Sequence, residues 1–253
     1  MTLPLPGATP EPEGVAGETY GAALVAADGA TRDAVVGVLR DIRFTGWIAP
    51  PDGGWIVAIG DPGDGTVAAD RRGVLEVAAV LADRLGTTAF AVRVRRDRQL
   101  VLAAWRGSEE LGRYSSDPSD EPGADEQVLG EPYGADHADA FALAAGRSDA
   151  AEELADVLAE ELDPDSVFES ERLARVLGLL GMPRWLVASA SLPRDIPTGP
   201  GAREVVRLGA GEPGAMGRLR GRAAAAARRR MAPPPAIAEP PRSDDLGIDP
   251  WLL

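Results

Sequence analysis

Residues 88–105 read TAFAVRVRRDRQLVLAAW, and their alternating pattern is the main evidence in the sequence for the fold class. Phe90, Val92 and Val94 stand at every second position, and alanine or arginine separates them. A period of two is typical of a strand with one buried and one solvated face. The charged turn RDR then leads into a second apolar run at 99–105, so we expect an antiparallel hairpin.

A helix followed by two strands is predicted twice along the chain, and this hairpin ends the second occurrence. A helical stripe of apolar residues over 35–42 is followed by two short strands within 44–59. A second stripe over 74–85 then leads into the hairpin. Helices that alternate with paired strands in this way favour a sheet with helices on one face. We therefore predict that residues 19–115 form an α+β domain, with a mainly antiparallel sheet and two helices on one face.

The composition changes after this domain. Between positions 117 and 165 there are sixteen acidic residues and one arginine. Residues 116–135 lack apolar periodicity, so we interpret them as an acidic linker. Helical periodicity returns over 136–190 and predicts a small all-α domain. Within it, Ser166 and Glu169 have the spacing of a capping box, which predicts a helix start.

Both ends of the chain are rich in Pro and Gly and have no apolar periodicity. Residues 1–18 are predicted to be a disordered lead-in, and residues 191–253 a largely disordered Pro/Arg-rich tail. The tail contains a basic segment at 201–231, with eight arginines and two acids, and an apolar motif at 247–253.

Composition excludes several classes of chemistry. The 253 residues carry 26 basic and 40 acidic side chains, a net charge of −14, with no cysteine and no lysine. Disulfides, thiol catalysis, cysteine-bound metals, Schiff-base chemistry and the P-loop lysine are therefore excluded. The sequence contains neither a membrane-spanning apolar run nor a secretion signal, so we expect a cytoplasmic protein without membrane association.

The candidate catalytic and metal-binding groups are sparse. The only histidine is His137, and the sequence contains no Gly-x-Ser-x-Gly or His-Glu-x-x-His motif. Asp61 and Asp64 lie among glycines but lack the spacing of a calcium loop, so we interpret them as solvated loop residues. We assign no catalytic residue, no metal site and no cofactor.

Two further groups of arginines are candidates for binding anions. Arg93 and Arg95 are expected on the solvated face of the hairpin, where charges also protect a sheet from aggregation. The basic segment can neutralise phosphates, which predicts weak binding of nucleic acid that falls steeply with salt. Its candidate contacts are Arg218, Arg220, Arg222, Arg228, Arg229 and Arg230.

The C-terminal residues carry the most specific signal. An apolar cluster at the end of a Pro-rich tether is typical of linear recognition motifs, although it is equally consistent with a tail that folds back on its own domain. Its members are Ile248, Trp251, Leu252 and Leu253. Our first hypothesis is a non-enzymatic adaptor or accessory protein that engages a protein partner through this motif. The alternatives are a nucleic-acid-associated regulator that uses the arginine arm, and an enzyme with a carboxylate and arginine site.

Overall fold

The computed structural model describes residues 18–120, 131–160, 168–192, 195–196 and 198–209. These residues form one seven-stranded sheet with helices on both faces. The strands are β1 (Tyr20–Ala26), β2 (Gly46–Ile48), β3 (Trp55–Gly60), β4 (Thr88–Arg95), β5 (Gln99–Arg106), β6 (Glu109–Ser115) and β7 (Val206–Leu208). The helices are α1 (Arg32–Asp41), α2 (Val74–Leu85), α3 (Ala138–Ala144), α4 (Ala151–Ala159) and α5 (Glu169–Leu179), and a 3-10 helix follows at Arg184–Ser191. The predicted α+β class is confirmed.

The sheet has the order β6-β5-β4-β1-β3-β2-β7, and every neighbouring pair is antiparallel. Its central part, β1-α1-β2-β3-α2-β4 with the order β4-β1-β3-β2, is the split βαβ arrangement of ferredoxin-like domains. The repeated order of elements in the sequence reflects these two interleaved βαβ units. The predicted hairpin at 88–105 is confirmed as β4 and β5, with Phe90 opposite Ala104.

Local signals place the first two helices. The Thr31 hydroxyl accepts a hydrogen bond from the Ala34 amide (3.3 Å), which caps α1 as its sequence indicates. Gly86 ends α2 with φ +62°, a conformation that glycine adopts without steric cost. Both helices cover one face of the sheet, where their buried side chains pack on β1, β3, β4 and β5.

The later helices cover the opposite face. Residues of α3, α4, α5 and the 3-10 helix share one hydrophobic core with Phe90, Val92 and Val94 of β4. Phe90 joins the two layers, because its ring lies 5.6 Å from the ring of Trp55 and 6.3 Å from that of Phe141 in α3. The helical segment at 136–190 is thus packed on the sheet.

The face of β4 that carries the arginines is not simply solvated, as the sequence analysis expected. Ala89 and Ala91 on that face are buried against α1 and α2, and Arg93 and Arg95 are only partly exposed. Val94 and its apolar neighbours on the other face are buried as predicted. The prediction that this face is solvated was wrong because α2 packs on it. The alternation of residue types within β4 does not show which elements pack on either face.

The predicted linker and tail are partly ordered. In the linker, Tyr133 forms a bridge with Ser115 at the end of β6. In the tail, residues 206–208 form strand β7 at the edge of the sheet, beside β2. Residues 1–17 and 210–253 lie outside the described residues, so the predictions of disorder at both ends stay predictions. None of the helices in the described ranges has the length and hydropathy needed to cross a bilayer.

Candidate functional site

A cleft of about 300 Å³ lies between the sheet and the end of the 3-10 helix. Its apolar walls include Trp47 of β2, Ile59 of β3 and Leu192, and its polar rim includes the loop at 61–64 that follows β3. Arg207 of β7 lines the same space. The cleft therefore depends on segments that are far apart in sequence, and the pairing of β7 with β2 brings them together.

Opposite charges meet on one side of this cleft. The Arg207 guanidinium donates to a carboxylate oxygen of Asp61 at 2.8 Å, and it stacks 4.8 Å from the centroid of the Trp47 ring. The strand register places Arg207 directly opposite Trp47. The side chains of Asp61 and Arg207 are only 21% and 16% exposed, so solvent screens their charges incompletely. Contrary to the sequence analysis, Asp61 is a paired and largely buried group.

The loop after β3 is held close to β1. A Cβ atom at Gly63 would lie 2.3 Å from the Cα of Tyr20, so only glycine permits this approach. Asp64 on this loop lies 3.9 Å from the Arg95 guanidinium, measured between carboxylate oxygen and Nε. The acidic loop is therefore fixed to the sheet by backbone packing and by charge.

Two lining residues carry buried polar atoms without a hydrogen-bond partner. They are the Oγ of Ser189 and the Nε of Arg207. Ser189 is 2% exposed, and its 3-10 helix is anchored to the β2–β3 turn because Trp185 Nε1 donates to Asp52 at 2.8 Å. Native proteins leave few buried polar atoms unpaired, so each such atom calls for an explanation.

A second polar cluster lies inside the molecule, between the β4–β5 turn and the start of α5. A carboxylate oxygen of Asp97 accepts from the Ser170 amide (2.7 Å) and from the Ser170 hydroxyl (2.6 Å). The Tyr20 hydroxyl donates to the Ser170 hydroxyl oxygen at 2.9 Å. Asp97 therefore caps α5 from a distant part of the chain. The predicted capping box is not the cap described: the helix begins at Glu169, and Ser166 lies outside the described residues.

The same cluster holds an ion pair that is almost completely buried. Arg172 lies 3.5 Å from a carboxylate oxygen of Glu169, and it also donates to the hydroxyl of Tyr114. Burial raises the pKa of Glu169 above its usual range, although Arg172 and the Ser116 hydroxyl act in the opposite direction. Burial likewise raises the pKa of Tyr20 and of Tyr114.

This buried cluster connects layers, and within the described residues its charged and hydroxyl groups are shielded from solvent. Glu169, Arg172 and Tyr114 are 5%, 2% and 0% exposed. Hydrogen bonds from the cluster reach both the sheet and α5. Removing one partner of a buried charge pair is strongly destabilising, because the remaining charge is left buried without compensation. We therefore assign it to fixing α5 on the sheet, and we take the cleft as the candidate functional site.

The only histidine has a structural environment. His137 Nδ1 lies 3.1 Å from the carbonyl oxygen of Arg113, and the side chain packs over Gly112, where an added Cβ atom would lie 2.7 Å from the His137 Cβ and 2.8 Å from the ring. Nδ1 also lies 3.9 Å from a carboxylate oxygen of Asp136. Across the described ranges, no three His, Asp or Glu side chains converge as a metal site requires.

The predicted partner and nucleic-acid contacts cannot be placed in the fold. Ile248, Trp251, Leu252 and Leu253 lie outside the described residues, and so do the arm residues Arg218, Arg220, Arg222, Arg228, Arg229 and Arg230. The basic segment is described only up to its first nine positions, where Arg207 pairs with Asp61. That contact assigns one of its eight arginines to the sheet edge.

The residues that build the cleft were not predicted from the sequence. Arg207 was counted with the basic tail, and Ser189 carried no signal of its own. Trp47 lies in a short predicted strand, and nothing in its neighbourhood indicates that an arginine 160 positions later stacks on it. The glycines around Asp61 were the one usable clue, since they permit the loop to approach β1 closely. No known family model, curated protein or solved structure matches this chain.

Proposed function

We propose that this chain is a non-enzymatic interaction protein, an adaptor or accessory subunit, which engages a protein partner through its apolar C-terminal motif. The motif consists of Ile248, Trp251, Leu252 and Leu253. Full burial of side chains of this kind is worth about 1.5–3 kcal/mol each, so a partner that covers them gains affinity from a very short segment.

One observation carries the proposal. Residues before position 210 already cover both faces of the sheet, with α1 and α2 on one face and α3, α4 and α5 on the other. Both cores, as far as the structure describes the chain, consist of residues that precede position 210. This supports a role for the apolar motif in contacts with a partner rather than in the packing of these two cores.

The test compares two clusters of substitutions within the same terminal segment. The test variant replaces Trp251, Leu252 and Leu253 with alanine, and the matched control replaces Pro233, Pro234 and Pro235 with alanine. We expect the unmodified chain and the control to retain a partner from native cell extract at equal levels. The test variant should reduce that partner to background while its melting temperature stays unchanged.

Thermal unfolding separates this proposal from a tail that docks on its own body. A docked tail contributes to stability, so its loss would lower the melting temperature by several degrees for a chain of this size. Fluorine NMR of fluorotryptophan-labelled protein reports Trp251 directly, with Trp251→Phe as the assignment. This method suits the chain better than removing the other tryptophans, because Trp55, Trp105 and Trp185 are buried. A lower melting temperature with an unchanged set of captured proteins would refute the proposal.

A further inference from the structure

The size of the cleft limits the ligand that it can hold. Its volume of about 300 Å³ corresponds to about ten water molecules at roughly 30 Å³ each. This is enough for an organic molecule of about ten heavy atoms. Pockets near this lower limit are typical of small metabolites.

The charges in the cleft determine the chemistry of such a molecule. Arg207 and Asp61 place a cation and an anion side by side, and Asp64 adds a second carboxylate to the same loop. Arg207 pairs with Asp61 and Arg95 with Asp64, so the cleft presents positive and negative groups in balance, and a ligand of one sign alone satisfies only one of these two kinds of group. A zwitterion matches both, because its opposite charges lie beside opposite charges of the protein.

The buried polar atoms indicate where the ligand is recognised. Arg207 uses its terminal nitrogen Nη2 for Asp61, while its Nε–H, on the same edge of the planar group, has no acceptor. The Ser189 hydroxyl lacks a partner as well. A carboxylate oxygen beside Arg207 satisfies the Nε–H, and the hydroxyl is suited to a second oxygen of the same group.

We propose that this cleft binds a small zwitterion with an apolar side chain, for which an α-amino acid is the simplest example. The ligand carboxylate accepts from Arg207 and Ser189, and the ammonium group faces Asp61 and Asp64. The apolar side chain packs against Trp47, Ile59 and Leu192. This inference is independent of the C-terminal motif, since every residue that it uses precedes position 210.

Titration calorimetry on the full chain tests each part of the ligand in turn. The probes are L-phenylalanine and L-leucine, with hydrocinnamate lacking the ammonium group, phenethylamine lacking the carboxylate, and glycine lacking the apolar side chain. A hydrogen bond to a charged group is worth roughly 1.5–3 kcal/mol, which corresponds to at least about tenfold in affinity. We expect one of the two complete zwitterions to bind at least about tenfold more tightly than each of the three truncated probes.

Substitutions place the binding in the cleft. Arg207→Gln should weaken the binding of the zwitterion about tenfold or more, with Arg203→Gln as the exposed control. Because Arg207→Gln can loosen β7, Ser189→Ala provides a second variant that removes only an unpartnered hydroxyl. It should weaken binding severalfold and leave the melting temperature unchanged, and exposed Ser148→Ala should change neither.

Three results would overturn the proposal. The first is the absence of saturable binding for both zwitterions up to about 10 mM, beyond the range of a selective weak site. The second is equal affinity for hydrocinnamate, which would indicate a simple anion site. The third is binding that neither Ser189→Ala nor Arg207→Gln weakens, which would place it elsewhere on the molecule.

Discussion

Replacing Asp97 with glycine tests how strongly the β4–β5 turn holds α5 on the sheet. Asp97 has φ +56°, which glycine adopts freely, so Asp97→Gly removes the carboxylate without straining the backbone. The variant loses the acceptor for the Ser170 amide (2.7 Å) and hydroxyl (2.6 Å), both of which are buried. A lost helix cap costs about 0.5–2 kcal/mol, and a buried donor left unsatisfied costs about 1–3 kcal/mol. We therefore expect the free energy of unfolding to fall by about 2–4 kcal/mol.

Urea unfolding followed by tryptophan fluorescence measures this loss. Arg96→Gly is the matched control, because Arg96 lies in the same turn with φ +51° and is exposed. It should be close to neutral. Asp97→Asn keeps a side-chain acceptor and tolerates positive φ, so it should lose roughly half as much as Asp97→Gly.

Hydrogen exchange supplies a local test of the same contact. In Asp97→Gly, the amides in the first turn of α5 should exchange faster, while those of β1 and β4 keep their relative protection. This role of Asp97 is refuted if Asp97→Gly and Arg96→Gly lose equal stability, or if the amide of Ser170 keeps its protection. Either result would mean that α5 is held by its apolar face alone.

Two further predictions concern the core and the buried ion pair. Phe90→Ala should lower the free energy of unfolding by about 3–5 kcal/mol, because Phe90 is fully buried between two layers. The control Phe168→Ala replaces a residue that is 58% exposed and should cost under about 0.5 kcal/mol. Equal losses in urea melts would refute the two-layer core. Because the folded-state pKa of Glu169 is raised, the protein holds that proton more tightly when folded, so its stability should fall as the pH rises from about 4.5 through the folded-state value. In thermal melts across the pH range, Glu169→Gln should reduce this loss of stability with rising pH, whereas the exposed control Glu171→Gln should not. An equally steep loss in Glu169→Gln and in the unmodified protein would contradict a raised pKa of Glu169.

Local patterns in the amino-acid sequence predict strands β2 to β5, helices α1 and α2 and the helical segment at 136–190, but not strand β7, which lies within the predicted tail. The period of two around Phe90 and the helical stripes over 35–42 and 74–85 are local signals, and each lies within one strand or one helix. Such patterns depend on residues that are close in sequence and on which face of an element is buried on average. They can therefore be recognised without knowledge of the fold. The α+β class followed from the order of these elements.

Which faces of these elements pack together depends on contacts between distant segments of the chain. The periodicity of β4 does not show that α2 covers the face that carries Arg93. Alternation shows that the two faces of a strand differ in polarity, but not which element packs on each face. Likewise, a helix over 169–179 was predictable, but its cap is Asp97, which lies 73 positions before Ser170. Sequence spacing contains no information about a hydrogen bond that closes so long a loop.

The candidate site depends on tertiary structure even more strongly. From the sequence, Arg207 belongs to the basic segment of the predicted tail. In the fold, the pairing of β7 with β2 positions it over Trp47 and beside Asp61. Ser189 is an ordinary serine in sequence, and its burial beside the cleft follows from the docking of the 3-10 helix on the sheet. The chain sets which residues are apolar, charged or small. Their convergence in one cleft is set by strand order and layer packing, which arise from contacts between residues distant along the chain.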